Sequence, residues 1–245
     1  MEPVLEVRGL RAGYTRGGVL GKKETTEVLH GLEFTLMPGE ILGLVGESGC
    51  GKSTLSKALL GLIPATAGEI RHGSQAPQMV FQDPLGSLNP AHSVGWLLEE
   101  SLKLAGVRDK AARQEACRQV LALVGLEEKY LRRRPRALSG GQCQRAALAL
   151  CLIRKPRLII ADEPVSALDV TIQAQILALL LSLREQLGLS YLFISHDMDV
   201  IYQVCDRVMV MKDGCIVEQG TRDEVFFHPQ HPYTRQLLAA SAGEL

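Results

Sequence analysis

The stretch Gly46-Glu47-Ser48-Gly49-Cys50-Gly51-Lys52-Ser53 decides how the rest of this chain is interpreted. It matches G-x-x-x-x-G-K-[ST], the pattern of a loop whose backbone N–H groups surround a phosphate. The apolar run Ile41–Val45 before it predicts a buried strand, and Thr54–Leu60 after it predicts a helix whose N-terminus attracts anions. A glycine-rich turn that binds nothing is the alternative, but such a turn requires neither a buried strand before it nor a helix after it.

The last two residues of the motif bring a charge and a hydroxyl to this loop. Lys52 is predicted to reach the β- and γ-phosphates of a nucleoside triphosphate, and Ser53 to hold Mg²⁺ through its hydroxyl. The predicted nucleotide-binding residues of the loop are Gly46, Glu47, Ser48, Gly49, Cys50, Gly51, Lys52, Ser53 and Thr54.

Composition narrows the class of protein. The formal net charge is zero, because 27 Lys and Arg residues balance 27 Asp and Glu residues, and this balance gives no indication of a nucleic-acid partner. The 6 cysteines show no C-x-x-C spacing, which argues against a zinc site and a disulfide framework. No apolar run approaches the roughly 18 residues that span a bilayer, and no signal-peptide pattern is found. If the protein works at a membrane, another chain is expected to supply the spanning part.

Strand patterns alternate with helical patterns along most of the chain. Val4–Arg8 predicts a half-buried strand, Gly9–Gly18 a loop that carries Tyr14, and Lys22–Glu27 an exposed turn. From Val94 to Tyr130 the apolar residues follow the helical period, which predicts a helical insertion. Together these patterns indicate an α/β fold with a mostly parallel sheet and a ligand at the carboxyl ends of the strands.

Polar residues with catalytic potential follow the predicted strands. Asp162 and Glu163 come directly after the apolar run Leu158–Ala161. Asp162 is predicted to bind Mg²⁺, and Glu163 to orient or activate the water that attacks the γ-phosphate. Gln82 is a candidate ligand of Mg²⁺ or of that water, and His196 a candidate donor to the γ-phosphate. Solvated side chains at strand ends are the alternative for all four residues.

A second glycine-bearing motif, Leu138-Ser139-Gly140-Gly141-Gln142, is predicted to begin a helix. Ser139 suits the N-cap position of that helix. The N-terminus of the helix is a site for an anion, yet the chain contains no second phosphate loop for it to serve.

Together these motifs resemble the nucleotide-binding subunits of ABC transporters over essentially the whole chain. The matching features are the phosphate loop, the Q-loop at Gln82, the signature at Leu138–Gln142, the second nucleotide motif at Asp162-Glu163, the D-loop at Ser166-Ala167-Leu168-Asp169, the switch histidine His196 and the adenine-stacking aromatic Tyr14. The resemblance implies ATP and Mg²⁺ as ligands and ATP hydrolysis as the activity. It also implies a P-loop, RecA-like core, an N-terminal antiparallel β subdomain and an inserted helical subdomain.

The resemblance further implies how the chain is divided. Residues 1–245 would form a single ATPase domain, with the nucleotide-binding core at 1–83 and 156–220. The helical subdomain with the signature would occupy residues 84–155, and a C-terminal helical extension residues 221–245.

In this family two subunits pair head to tail, so the signature of one closes on the γ-phosphate bound by the other. The absence of a second phosphate loop in this chain agrees with such a dimer. The implied catalytic residues are Lys52, Gln82, Glu163 and His196. The implied metal ligands are Ser53, Gln82 and Asp162, and the implied nucleotide contacts outside the loop are Tyr14, Ser139, Gly140, Gly141, Gln142 and Asp169.

Three stretches, Asp162–Asp169, Gly86–Pro90 and His231–Tyr233, resemble the importers of di- and oligopeptides and of nickel. Those importers use two non-identical ATPase subunits, two permeases and an extracytoplasmic binding protein, which implies a heterodimer at the cytoplasmic face of the cell membrane. The chain looks like the partner without a cysteine-bearing tail, and no iron–sulfur cluster is expected. The connection Arg71–Gln78 is shorter than in typical peptide importers, which leaves nickel or a metal chelate open as the substrate.

Two other functions use a domain of this kind. A soluble ATPase that acts on nucleic acid would require a long coiled-coil insertion, a zinc hook or two cassettes in one chain. A non-hydrolysing ATP-binding regulator would be expected to lack Glu163 or to have a degenerate signature. The sequence has none of these features.

Overall fold

The computed structural model describes residues 2–17, 23–73, 77–166 and 168–242. The described strands are β1 Leu5–Gly17, β2 Lys23–Leu36, β3 Ile41–Val45, β4 Ala65–His72, β5 Gln78–Val80, β6 Leu158–Asp162, β7 Ser190–Ile194, β8 Arg207–Lys212 and β9 Cys215–Thr221. The described α-helices are α1 Lys52–Leu59, α2 Pro84–Ser87, α3 Val94–Leu104, α4 Lys110–Leu123, α5 Gly140–Leu152, α6 Val170–Leu187, α7 Met198–Val204, α8 Arg222–Phe227 and α9 Pro232–Ala242. Short 3-10 helices at Glu128–Arg132 and Pro135–Ala137 precede α5.

The larger sheet has the strand order β5-β6-β7-β3-β8-β9. Its pairs are parallel except for the β8–β9 hairpin. Side chains alternate between its faces, so that Leu42 and Leu44 of β3 belong to one hydrophobic cluster and Ile41 and Val45 to the other. Because both faces are covered, the central strands are apolar almost throughout, as in other parallel sheets. The predicted α/β fold with a mostly parallel sheet is confirmed.

The smaller sheet, with the antiparallel order β2-β1-β4, shows that the predicted loop at Gly9–Gly18 and turn at Lys22–Glu27 were wrong. β1 and β2 pair through both stretches, apart from residues 18–22, which lie outside the described part of the chain. Gly9 has φ +57° at a register shift, and a Cβ at Gly13 would lie 2.1 Å from a carbonyl oxygen of β2. The glycines that suggested a loop therefore permit a bulge and a close approach within a strand.

Helices α3, α4 and α5 pack against one another and include the stretch that was predicted to be helical. Each begins with a side-chain N-cap, provided by Ser93, Asp109 and Ser139 respectively. Buried leucines such as Leu98 and Leu121 join these helices to the cluster on one face of the larger sheet. Among the described helices, none has the length and apolar character that crossing a membrane requires.

The C-terminal helices α8 and α9 follow the β8–β9 hairpin. Thr221 and Glu224 exchange the hydrogen bonds of a capping box at the start of α8. Tyr233, in the first turn of α9, is only 3% exposed and joins the core. Helix α9 is therefore anchored to the hydrophobic cluster on one face of the larger sheet.

Candidate functional site

A cavity of about 420 Å³ lies at the carboxyl ends of β5, β6, β7 and β3, which are neighbours in the larger sheet. Adjacent parallel strands end at the same edge of a sheet, so the polar residues after each strand meet there. The lining residues are Ser48, Gly49, Gly51, Lys52, Ser53, Thr54, Gln82, Asp162, Glu163 and His196. The structure thus brings the loop, the two carboxylates, the glutamine and the histidine into one place.

The backbone of the loop requires glycine at two positions. Gly46 has φ +155°, and a Cβ there would lie 2.2 Å from the carbonyl oxygen of Met211 in β8. Gly51 has φ +116°, and its Cβ would lie 2.8 Å from the Cε of Met211. β8 therefore forms a wall directly behind the loop, and any side chain at these positions would displace the loop from it.

The ammonium group of Lys52 lies over the loop that precedes it. Its Nζ donates to the carbonyl oxygens of Gly46, at 2.6 Å, and Glu47, at 2.9 Å. One positive charge is thereby held by the backbone at the mouth of the cavity. Together with the N-terminus of α1, this charge makes the loop a site for an anion.

The carboxylate of Glu163 accepts hydrogen bonds from two residues across the cavity. Gln82 donates through Nε2 to Oε2 at 2.9 Å, and His196 approaches Oε1 through Nδ1 at 3.0 Å. An ionised carboxylate only accepts, so in this contact the Nδ1 of His196 carries a proton. The Glu163 side chain is 16% exposed, whereas that of His196 is 64% exposed. The Glu163 carboxylate is thus enclosed and oriented, while the imidazole of His196 lies on the solvent-exposed side of the cavity.

Glu163 also has a backbone conformation that is uncommon outside glycine. Its φ is +47°, in the left-handed region, which costs a residue with a Cβ about 1–2 kcal/mol. The backbone N–H of Glu163 donates to the carbonyl oxygen of Ile194 at 2.9 Å, and the hydroxyl of Ser166 donates to its carbonyl oxygen at 3.2 Å. These bonds hold the turn after β6 in the conformation that directs the carboxylate toward Gln82 and His196.

Asp162 ends β6 beside Glu163 and borders the cavity. Burial raises the pKa of the Asp162 carboxyl, the neighbouring charge of Glu163 raises it further, and Lys52 opposes both effects. A divalent cation would relieve this accumulation of negative charge. The lining offers a carboxylate from Asp162, a hydroxyl from Ser53 and an amide oxygen from Gln82, and such oxygen ligands suit Mg²⁺. The donor set therefore fits the metal that the sequence implies.

Tyr14 and Asp169 lie outside the lining of this cavity. The hydroxyl of Tyr14 is 3.3 Å from the Oγ1 of Thr54, and the Nζ of Lys57 lies 5.7 Å from the centre of its ring. Tyr14 is 39% exposed and lies beside α1. Asp169 is the N-cap of α6, where Oδ1 accepts from the backbone N–H of Ile172 at 3.0 Å. Ala167 of the predicted D-loop lies outside the described residues.

The signature residues also lie outside the lining of this cavity. Ser139 and Gln142 form a capping box, in which the Oγ of Ser139 accepts at 3.4 Å and the Oε1 of Gln142 accepts at 3.0 Å. The Nε2 of Gln142 donates to the hydroxyl of Tyr130 at 2.9 Å. A Cβ at Gly141 would lie 2.7 Å from Ile172, so α5 and α6 approach closely there. This rigid helix end is exposed at Ser139 and Gly140.

Two contacts to the loop were not predicted from the sequence. The backbone N–H of Glu47 donates to the hydroxyl of Tyr233 at 3.0 Å, and the backbone N–H of Gly214 donates to the carbonyl oxygen of Cys50 at 2.9 Å. In the sequence, Tyr233 is notable only as part of His231–Tyr233, which resembles the importers. Because 186 positions separate Tyr233 from Glu47, no local pattern indicates that they meet.

Comparison with known proteins places this geometry in a family. The family described as "ABC transporter" matches residues 29–166. The chain is 43% identical to the dipeptide transport ATP-binding protein DppF of Escherichia coli K12, over 98% of this chain and 77% of that protein. It is 46% identical to the oligopeptide transport ATP-binding protein OppF of Escherichia coli K12, over 89% of this chain and 70% of that protein. It is 45% identical to the glutathione import ATP-binding protein GsiA of Pectobacterium atrosepticum, but covers only 41% of that protein.

Two solved structures have the same fold. One is cbiO1 from Clostridium perfringens, part of the ABC transporter complex cbiONQ, with a TM-score of 0.77 and 26% identity over 100% of this chain and 98% of that chain. The other is the ATP-binding cassette MJ0796 in a dimeric post-hydrolysis state bound to ADP and Pi, with a TM-score of 0.75 and 26% identity over 89% of this chain and 98% of that chain. The phosphate loop, the enclosed glutamate and these similarities have one explanation. The chain belongs to the ABC transporter family, as an ATPase subunit that binds ATP with Mg²⁺.

Proposed function

We propose that this chain powers a membrane importer of di- or oligopeptides, with nickel or a metal chelate as the alternative cargo. The observation that carries the catalytic part is the Glu163 carboxylate, which is oriented by Gln82 and His196 inside the cavity of the phosphate loop. The names of the relatives, which refer to dipeptides, oligopeptides and glutathione, favour peptides as the cargo. The permeases and the binding protein would select among such substrates.

In the proposed mechanism each residue of the cavity has one task. The loop amides and Lys52 bind the phosphates, and Glu163 takes a proton from the attacking water. Gln82 and His196 hold that carboxylate in place. An imidazolium with protons on both ring nitrogens would also donate through Nε2 to the γ-phosphate. Ser53, Asp162 and Gln82 would hold Mg²⁺, which neutralises phosphate charge when bound. Tyr14 would stack on the adenine.

The exposed end of α5 supports a dimer. The first turn of α5 places a positive helix end and the backbone N–H groups of Gly140 and Gly141 outside the lining of the cavity of their own chain. We infer that they close, together with Gln142 and Asp169, on the γ-phosphate held by a second, homologous ATPase subunit. Binding of ATP would then close the two subunits, and hydrolysis would let them reopen.

Replacing Gly140 with alanine is expected to weaken ATP-driven association with the partner ATPase at least about tenfold while the monomer stays folded. A Cβ at Gly140 would find its nearest neighbour, the Cδ2 of Leu168, at 3.6 Å, an ordinary contact. The methyl group would instead obstruct the approach of the phosphate to the helix end. Light scattering of the mixed subunits with ATP measures association, and thermal unfolding checks the fold. Association equal to that of the unchanged chain would contradict the dimer.

A second cleft, of about 590 Å³, supports docking of a permease. Its lining includes the apolar side chains of Leu62, 66% exposed, and Phe81, 45% exposed. Three residues, Ser53, Gln82 and Asp162, line both this cleft and the nucleotide cavity, so the two spaces adjoin. We infer that a permease segment binds here and that the Gln82 loop passes closure of the ATP site on to it.

Replacing Leu62 with serine is expected to weaken binding to the permeases about tenfold or more, because burial of a leucine contributes about 1.5–3 kcal/mol. Leu104→Ser is the matched control, since Leu104 is 80% exposed and is not among the residues that line this cleft. Co-purification with the permeases measures binding, and ATPase activity of the isolated subunit checks the nucleotide site. Equal loss in both variants would show that the cleft has no special role.

The proposed arrangement gives each segment of the chain a role. The core at 1–83 and 156–220 would hold ATP, the helical subdomain at 84–155 would carry the signature, and residues 221–245 would extend the core. The subunit would work at the cytoplasmic face of the cell membrane, beneath two permeases, with an extracytoplasmic binding protein as an indirect partner and no nucleic acid.

The proposed function is tested by reconstituting the chain with its partner ATPase and permeases in lipid vesicles. ATP hydrolysis that increases with the loaded binding protein would support an importer. Stimulation by nucleic acid instead would support the soluble ATPase, and ATP binding without phosphate release would support the regulator. Calorimetry of the binding protein with peptides, Ni²⁺ and metal chelates would identify the cargo.

A further inference from the structure

We propose that the hydroxyl of Tyr233 positions Lys52 through the peptide bond between Gly46 and Glu47, and thereby sets the affinity for ATP. The inference rests on the proposed role of Lys52 as a phosphate ligand. It adds a residue from the C-terminal helix α9 to the determinants of nucleotide binding.

One peptide unit connects the two side chains. Its carbonyl, on Gly46, accepts from the Nζ of Lys52 at 2.6 Å, and its N–H, on Glu47, donates to the hydroxyl of Tyr233 at 3.0 Å. Both bonds therefore fix the rotation of the same plane. Hydrogen bonds in such a series polarise and strengthen one another. The Gly46–Glu47 peptide thus orients the ammonium group of Lys52, and the hydroxyl of Tyr233 holds that peptide in place.

Tyr233 is itself held firmly. Its ring is buried, and the Nζ of Lys212 lies 4.8 Å from the ring centre. Its backbone N–H donates to the Nδ1 of His231 at 3.2 Å. The carboxylate of Glu218 in β9 accepts from the backbone N–H groups of Gln230, at 2.7 Å, and His231, at 3.0 Å. These contacts therefore hold the hydroxyl of Tyr233 in a fixed position relative to the larger sheet.

The rest of the loop leaves this peptide with few other restraints. Gly46 has no side chain to limit its rotation, and Glu47, Ser48 and Gly49 are exposed. The Gly214 contact holds the opposite end of the loop, at Cys50. Without the Tyr233 hydroxyl, the N–H of the Gly46–Glu47 peptide has no other acceptor among the described residues. The Gly46 carbonyl would then hold the Nζ of Lys52 less firmly, and the carbonyl of Glu47, at 2.9 Å, would be its remaining firm backbone acceptor.

Tyr233→Phe removes the hydroxyl and keeps the ring in the core. We expect the affinity for ATP and ADP to fall about fivefold, the effect of one hydrogen bond, with kcat and the unfolding temperature close to those of the unchanged chain. A rise in KM without a change in kcat is the signature of lost binding that is equal in ground and transition states. Equilibrium binding of a fluorescent ATP analogue, steady-state kinetics and thermal unfolding measure the three quantities.

Tyr191→Phe is the matched control. Tyr191 in β7 is 1% exposed, and its hydroxyl has no hydrogen-bond partner among the described residues. Its removal is expected to leave nucleotide affinity unchanged. Unchanged affinity in Tyr233→Phe, or equal losses in both variants, would overturn the proposal, as would a fall in the unfolding temperature with no change in affinity. If Lys52→Ala binds ATP as tightly as the unchanged chain, the proposed role of Lys52 fails instead.

Discussion

Replacing Glu163 with glutamine is expected to leave ATP binding intact and to lower the rate of hydrolysis at least about 100-fold, the usual contribution of a general base. Glutamine keeps the shape of the side chain but has no basic oxygen for the proton of the attacking water. The neighbours can adapt, because the glutamine keeps one carbonyl oxygen that accepts from Gln82 or His196. The other neighbour can accept from the new NH₂ group, if the Gln82 amide rotates by half a turn or the proton of the imidazole moves to its other nitrogen. The substitution therefore separates chemistry from binding.

Phosphate release and binding of a fluorescent ATP analogue measure the two effects of this change. Glu185→Gln, on the exposed side of α6, is the control for the same substitution away from the cavity. Association of the variant with the partner ATPase in the presence of ATP should also persist for longer, because hydrolysis no longer reopens the dimer. Turnover close to that of the unchanged chain would remove Glu163 from the mechanism.

The candidate residues of the cavity could be placed together from the sequence because each follows a predicted strand. Asp162 and Glu163 come directly after four apolar residues, and the phosphate loop lies between a buried strand and a helix. Parallel topology then requires these strand ends to meet, whatever the detailed packing. The strand order and the shared cavity agree with that reasoning.

Conformation and long-range contacts could not be predicted in the same way. The glycines of β1 were interpreted as loop signals, although Gly9 serves a bulge and Gly13 a close approach between strands. Only the partner strands distinguish these cases, and the pairing of β1 with β2 and β4 cannot be predicted from the local pattern. The left-handed backbone of Glu163 and the contact of Tyr233 with the loop depend likewise on tertiary packing.

Replacing Lys52 with alanine is expected to weaken ATP binding about 100-fold or more, because charge-assisted hydrogen bonds to phosphate are among the stronger polar contacts. The Nζ of Lys52 lies 2.6 Å and 2.9 Å from two carbonyl oxygens of the loop, so its charge already stands where the phosphates are expected. Alanine suits the first turn of α1, and the fold should persist. Calorimetry with ATP measures affinity, and Lys110→Ala, at the exposed start of α4, is the control.

The loss of ATP affinity in Lys52→Ala can arise in two ways. Measurements with and without Mg²⁺ distinguish them. Lys52 also opposes the rise in the pKa of Asp162, so its removal leaves more uncompensated negative charge at the proposed metal ligand. A direct contact with the phosphates predicts that the variant binds ATP more weakly both with Mg²⁺ and with the metal chelated. An effect transmitted through Asp162 predicts a loss only when Mg²⁺ is present. We expect weaker binding under both conditions, and a loss confined to Mg²⁺ would make Lys52 a support of the metal site.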